Sequence, residues 1–228
     1  MGLGDLLSQL GWILYKDLLI AWRGRARQVG LLAYGLGLLL LFSVAVGPDG
    51  AALRAHAAAY LWLTALSAST LLLSQSFQSE TETGGLEGLL LVPVSPLALF
   101  YGKALANLVA LLVLVAFSLP AVVLLFDLGP PASVPRLTAT LLLGCAGIVA
   151  PGTLYAALTA RLQARSILLP VLLFPLVLPP VLAAVQVTGL LFLGDPMRQQ
   201  GPWLALLTSF NLIYWSLSGV LFGKLLEE

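Results

Sequence analysis

The sequence reads as an all-α membrane protein. An amphipathic interfacial helix spans residues 1–28, and a six-helix transmembrane domain follows over 29–228 with both termini cytoplasmic. Three observations carry that reading. Hydrophobic residues make up 60% of the 228-residue chain and charged residues only 9%, whereas a soluble domain would carry about a quarter charged residues. The apolar residues gather in runs of the length needed to cross the hydrocarbon layer, about 20 helical residues. All ten acids and all eleven bases fall outside those runs. A net charge of +1 gives no electrostatic reason to expect a nucleic-acid partner. Cys145 is the sole cysteine and lacks a partner for a disulfide or a thiolate metal motif.

The first apolar stretch holds Lys16 and Asp17 in its middle and is followed by Arg23, Arg25 and Arg27. It therefore does not read as a cleavable signal peptide. Polar side chains at Asp5, Ser8, Gln9, Lys16, Arg23 and Arg27 fall roughly on one helical face. Leu6, Leu10, Ile13, Leu14 and Leu18 fall mostly on the other. That pattern, with Trp12 and Tyr15 at headgroup level, predicts a helix in the inner interface that turns into the first span. A simple basic anchor that fixes topology is the plainer alternative.

The spans are read as Val29–Val46, Ala57–Phe77, Ala104–Phe126, Leu137–Ala160, Ser166–Leu193 and Trp203–Gly223. Between the second and third lies a shorter apolar stretch, Gly88–Gly102, interrupted by Pro93 and Pro96. As a helix it would reach only about 22 Å, and its prolines break the hydrogen-bond ladder. Charge gives an independent test. With six spans and the N-terminus inside, eight basic residues (Lys16, Arg23, Arg25, Arg27, Lys103, Arg161, Arg165, Lys224) are cytoplasmic and three (Arg54, Arg136, Arg198) are outside. A seventh span would make that six against five. The positive-inside bias favours six, so residues 78–103 form a cytoplasmic segment, a short helix or hairpin at the surface. Tyr60, Trp62 and Trp203 at outer ends, with Tyr101 and Phe222 at inner ends, read as aromatic belts.

The fifth run is too long for one simple crossing and holds Pro170, Pro175, Pro179 and Pro180. Two readings are open. Either the helix breaks around Gln186–Gly189 and Leu190–Pro202 dips back as an outer re-entrant piece, or one long, tilted, kinked helix runs through. Small and hydroxyl residues within the spans, among them Thr64, Ser67, Ser74, Gly144, Gly147, Gly152, Thr208 and Asn211, read as helix-packing surface or as a translocation path.

Ionisable residues inside spans mark ion-driven carriers, and the spans as drawn hold none. Nor is there a nucleotide site. In "SGVLFGKLL", Ser218–Leu226, the glycines are one residue too close for a phosphate loop, and Leu225 stands where a magnesium-binding hydroxyl is needed. The chain is therefore not read as an enzyme, and its energy must come from another chain. The segment "SFQSETETGGLEGLLLVPVSPLALFYGK", Ser76–Lys103, suits a docking element. Glu80, Glu82 and Glu87 can pair with basic groups, Gly84 and Gly85 permit a sharp bend, and Leu86, Leu89, Leu90 and Leu91 can fill a groove. The alternative is that the leucines pack under the bundle while the acids face water.

The pattern Phe77-x-x-Glu80-x-Glu82-x-Gly84-x-Leu86-Glu87, followed by "LLLVPVSP" through Pro96, resembles the CcmB family. These are membrane subunits of the ABC complex for haem export in cytochrome c maturation. Chain length, six spans, the basic N-terminal helix and "VGPD", Val46–Asp49, are also similar, although this chain carries Gln78-Ser79-Glu80 where the family tends to have more aspartates. The resemblance implies an ABC-2-type permease in the bacterial inner membrane. It also implies a second copy of the chain, a CcmA-like ATPase that binds ATP, and CcmC-like and CcmD-like membrane partners. Phe77, Glu80, Glu82, Gly84, Gly85, Leu86, Glu87, Pro93 and Pro96 would then form the coupling segment gripped by the ATPase. Haem would be a cargo of the complex rather than a cofactor of this chain. His56 is the single imidazole, with two readings: an axial haem ligand, with Met197 as another outer candidate, or a solvated interfacial side chain. The work relayed could move haem or release a haem-loaded periplasmic chaperone. The rival functions are an ABC-2 exporter of a lipid or glycan and a scaffold that transmits no force.

Overall fold

The computed structural model describes residues 3–82, 95–160 and 165–225, which form seven α-helices and no strand. They are α1 (Leu3–Arg23), α2 (Arg25–Val46), α3 (Gly50–Glu82), α4 (Pro96–Leu125), α5 (Val134–Thr159), α6 (Arg165–Leu193) and α7 (Gln200–Leu225). Among the described residues, the six helices α2 to α7 are long and apolar enough to cross a membrane. Because successive crossings alternate, the bundle has two ends. At the elbow end α1 joins α2 through Gly24, α3 finishes and α4 begins. The opposite end holds the α2–α3, α4–α5 and α6–α7 connections. Lys16, Arg23, Arg25, Arg27, Lys103 and Lys224 lie toward the elbow end, and Arg54, Arg136 and Arg198 toward the other.

Helix α1 is not a free interfacial helix. It packs along the start of α4, with Ile13 buried against Gly102. A Cβ at Gly102 would come within 2.7 Å of Ile13 Cγ2, so glycine sets the approach of the two helices. Gln9 and Asp17, read from the sequence as polar or mid-helix residues, turn toward protein. Trp12, Tyr15 and Trp22 are exposed on the outer side, where amphipathic rings suit the headgroup layer.

Helix α6 sits against α3, α5 and α7. Trp62 of α3 fills the space between them. It is fully buried, its indole Nε1 donates to Thr188 Oγ1 of α6 at 3.0 Å, and its six-membered ring occupies the volume a side chain at Gly144 would need. Trp62 is therefore a core residue and not part of an aromatic belt; a fully apolar helix gives no periodic signal of which face turns inward. Phe222 is likewise buried, against Phe100 at 5.4 Å between ring centroids. Gly147 and Gly152 receive Pro180 and Leu73 respectively. The hydroxyls of Ser67, Ser74 and Thr208 bond back to their own helices, the usual fate of such groups in apolar helices.

Helix α6 runs unbroken to Leu193, through all four prolines and through Gln186–Gly189, so the long-helix alternative is the one the fold adopts. A proline removes the N–H that would bond the carbonyl four residues back. For Pro180 that carbonyl belongs to Leu176, and Tyr214 Oη of α7 donates to it at 2.8 Å. Val187 and Thr188, where the break was expected, are buried against the rest of the bundle. The α6 terminus is held by Ala132 N donating to Leu191 O at 2.8 Å.

The connections at the opposite end are built from capping residues. Gly47 ends α2 at φ 78°, ψ −162°, a region essentially restricted to glycine. Asp49 then caps α3 by accepting from Ala51 N at 2.9 Å, which gives the "VGPD" stretch a structural reason. Asp195 accepts from Gln199 N at 2.7 Å and Gln200 N at 3.0 Å, starting α7. Arg54 and Asp127 pair across α3 and the end of α4 at 2.7 Å.

Candidate functional site

The described residues of the predicted coupling segment, Phe77, Glu80, Glu82 and Pro96, lie at the elbow end, where three elements meet: α1, the last turns of α3 and the first turns of α4. The start of α4 follows from local chemistry. Ser95 has extended backbone and its Oγ accepts from Ala98 N at 3.1 Å, while Pro96 takes the first helical position; both are favoured there. The Ser95 amide in turn donates to Gln9 Oε1 of α1 at 3.0 Å. The N-terminus of α4 is thus tied to α1 before a single apolar contact is counted.

Two turns into α4 lies Lys103, with only 1% of its side chain exposed. Its ammonium lies 3.3 Å from Asp17 Oδ2 of α1 and donates to the Ser76 carbonyl of α3 at 3.3 Å. It also sits 4.8 Å from the centroid of the Phe77 ring, on the ring face, a cation–π arrangement that strengthens when desolvated. Asp17, 15% exposed, is shared with Lys16 Nζ at 3.1 Å. One amino group therefore joins three helices at one point. A buried ammonium is costly unless paired and hydrogen-bonded, so the joint holds only while α1, α3 and α4 keep this arrangement. One turn deeper, buried Asn107 of α4 donates to Thr153 Oγ1 of α5 at 3.2 Å, which carries the polar linkage to a fourth helix.

The joint frames the predicted coupling segment from both sides. Phe77 is buried under Lys103 and Pro96 opens α4. Glu80 and Glu82 fall in the last turns of α3. Gly84, Gly85, Leu86, Glu87 and Pro93 lie outside the described residues. The expected span beginning at Ala104 instead begins eight residues earlier, at Pro96, which places Lys103 inside the helix rather than before it. Charge counting along the sequence marks Lys103 only as a cytoplasmic base and does not single out Asp17 or Gln9 as contacts. The signal that points to Lys103 is Ser95-Pro96, a capping residue followed by an N1 proline.

His56 and Met197 sit at the opposite end. His56 is exposed and its Nδ1 donates to the Ala52 carbonyl at 2.8 Å, which leaves Nε2 as the ring atom able to ligate. Met197 is exposed beside Gln199, whose Nε2 lies 3.7 Å from the sulfur. No group of three or more His, Cys, Asp or Glu side chains suited to a metal ion occurs among the described residues.

Comparison with known proteins covers nearly the whole chain. The family described as CcmB protein matches residues 9–226. The chain is 32% identical over 209 residues to heme exporter protein B of Bradyrhizobium diazoefficiens, covering 91% of this chain and 92% of that one. It is 33% identical over 202 residues to heme exporter protein B of Pseudomonas aeruginosa, covering 88% and 89%. Against heme exporter protein B of Rhodobacter capsulatus it is 34% identical over 175 residues, covering 76% and 79%.

Proposed function

The chain belongs to the CcmB family, and from that premise we propose that it is the membrane subunit of an ABC-type haem exporter serving cytochrome c biogenesis. The relatives named heme exporter protein B support haem as the cargo of the assembly. The chain does no chemistry itself. A separate ATPase subunit grips the segment from Glu80 to Pro96 and its closure moves the helices that flank it. The protein lies in the bacterial inner membrane with both termini cytoplasmic, as a pair of copies accompanied by CcmA-like, CcmC-like and CcmD-like partners. The work delivered either moves haem or releases a haem-loaded chaperone.

The observation that carries this reading is the Lys103 joint. A push on a loop does work on a bundle only if the loop is coupled stiffly to several helices. Here both flanks of the segment are tied to α1: Ser76–Phe77 through the Lys103 ammonium, which pairs with Asp17, and Ser95 through its bond to Gln9. That geometry favours force transmission over a passive scaffold, which would need no such bracing.

The test is the charge reversal Glu82→Lys with Glu87→Lys, in a strain expressing the whole assembly. The ATPase subunit is expected to fail to co-purify, or to hydrolyse ATP without supporting cytochrome c maturation. Unchanged co-purification together with unchanged maturation refutes docking at this segment. In mild detergent, recovery of an ATPase with a haem-binding membrane partner supports the haem assignment; recovery of an ATPase alone favours an exporter of a lipid or glycan.

A further inference from the structure

Two cavities of about 420 and 530 Å³ adjoin at the α1–α2 elbow and share Ala21, Arg25, Gln28, Leu72 and Ala110. They differ in chemistry. The first has a mixed lining that includes Arg23, Arg25, Arg27, Gln75 and Asn107. The second is an apolar slot between α1, α2 and α4, lined by Leu18, Leu31, Val109, Val113 and Leu114. Together they make a site with a cationic head and an apolar tail.

We propose that this elbow is a binding site for an anionic phospholipid, with its phosphate in the arginine lobe and an acyl chain in the slot. Four observations carry it. No carboxylate of the described residues pairs with Arg23, Arg25 or Arg27; Asp17, which also lines the lobe, is engaged by Lys16 and Lys103. The first turn of α2 opens on Gly24 without a side-chain cap, so its amide dipoles favour an anion beside them. Gln75, whose Oε1 has no donor partner, lines the arginine lobe. Arg25 stacks over Trp22 at 5.5 Å, which places its guanidinium where the lobes meet. Trp12, Tyr15 and Trp22, exposed along α1, set this elbow at headgroup depth. The lining holds no His, Cys or Met, so the usual axial ligands for a haem iron are missing and a lipid suits the site better than a porphyrin. The site is independent of the coupling reading, and it would brace α1 against α2 and α4 from the lipid side.

The test uses the full-length chain in detergent, titrated with dioleoyl-phosphatidylglycerol, dioleoyl-phosphatidylcholine or inorganic phosphate, with retained adducts read by native mass spectrometry. Phosphatidylglycerol is expected to be retained in preference to phosphatidylcholine. R25Q with R27Q is expected to lower its apparent affinity about thirtyfold while leaving the lipid-free unfolding temperature unchanged, because both arginines are exposed. A110W, which fills the junction of the lobes, is expected to remove retention of the lipid. Inorganic phosphate alone is expected not to be retained. Equal retention of the two lipids, or an R25Q/R27Q protein that binds phosphatidylglycerol as well as the parent does, overturns the proposal. So does retention of phosphate alone, which would mark a plain anion site. A haemin Soret shift abolished by R25Q/R27Q overturns it in favour of a porphyrin site.

Discussion

Replacing Asp17 by Asn would take the Asp17 carboxylate away from the buried Lys103 ammonium. The Ser76 carbonyl and the Phe77 ring face would remain; neither replaces a carboxylate. Breaking a fully buried ion pair from one side costs about 3–5 kcal/mol. Asp17 is partly exposed and shared with Lys16, so solvent screening reduces that to about 2–3 kcal/mol. For a chain of this length the loss corresponds to a fall of about 4–12 °C in unfolding temperature, measurable by the fraction staying monodisperse after heating in detergent. The informative comparison is a double-mutant cycle with Lys103→Met. Removing the ammonium from the Asp17→Asn protein removes the buried charge that has lost the Asp17 carboxylate, so the double variant is expected to be more stable than Asp17→Asn alone. The expected coupling energy is above about 1 kcal/mol. If the two substitutions add to within about 0.5 kcal/mol, the ion pair is not what holds α1 to α4, and the bracing argued for the coupling segment loses its basis.

Three further outcomes follow from the packing. Tyr214→Phe exposes the Leu176 carbonyl left by Pro180 and should cost about 1–3 kcal/mol; in a Pro180→Ala background, where the restored backbone N–H can bond that carbonyl, the cost should largely vanish, and thermal melts of the four proteins decide it. Gly144→Val should abolish the folded protein, since its side chain would occupy the Trp62 ring volume, whereas Trp62→Leu added to Gly144→Val should recover measurable monodisperse protein. In a Cys145→Ser background, which removes the one native thiol, a cysteine at Gly129 should be labelled by an impermeant maleimide from the periplasm and a cysteine at Gly24 only after lysis. The reverse pattern would invert the orientation.

The six spans were legible because apolar run length is a property of composition, and each run has its helix in the structure. The start of α4 was not, because Pro93 and Pro96 read alike as breakers when Pro96 in fact opens the helix. The inward face of α3 was hidden for a related reason: with apolar side chains all around, nothing in the spacing says that Trp62 rather than Leu63 turns to the core. The partners that meet α6 lie on other helices: Tyr214 bonds the carbonyl freed by Pro180, and Trp62 bonds Thr188 at the place where the other reading put a break. At the candidate site, the sequence marked the flanks Phe77 and Pro96 but not the joint between them. Lys103, Asp17, Gln9 and Ser76 become neighbours only when three helices pack.

Helix α3 has 33 residues, which makes a rod about 50 Å long, well beyond the ~30 Å of hydrocarbon it has to cross. Its far foot is pinned by Asp49 and by the Arg54–Asp127 pair, and its last five residues, about 7.5 Å of helix, run on past Phe77. Pivoting such a rod by about 10° about that foot would carry its tip by about 9 Å. Three helices clasped near the tip would make a small angular change at the base into a wide stroke at the surface, as an oar does.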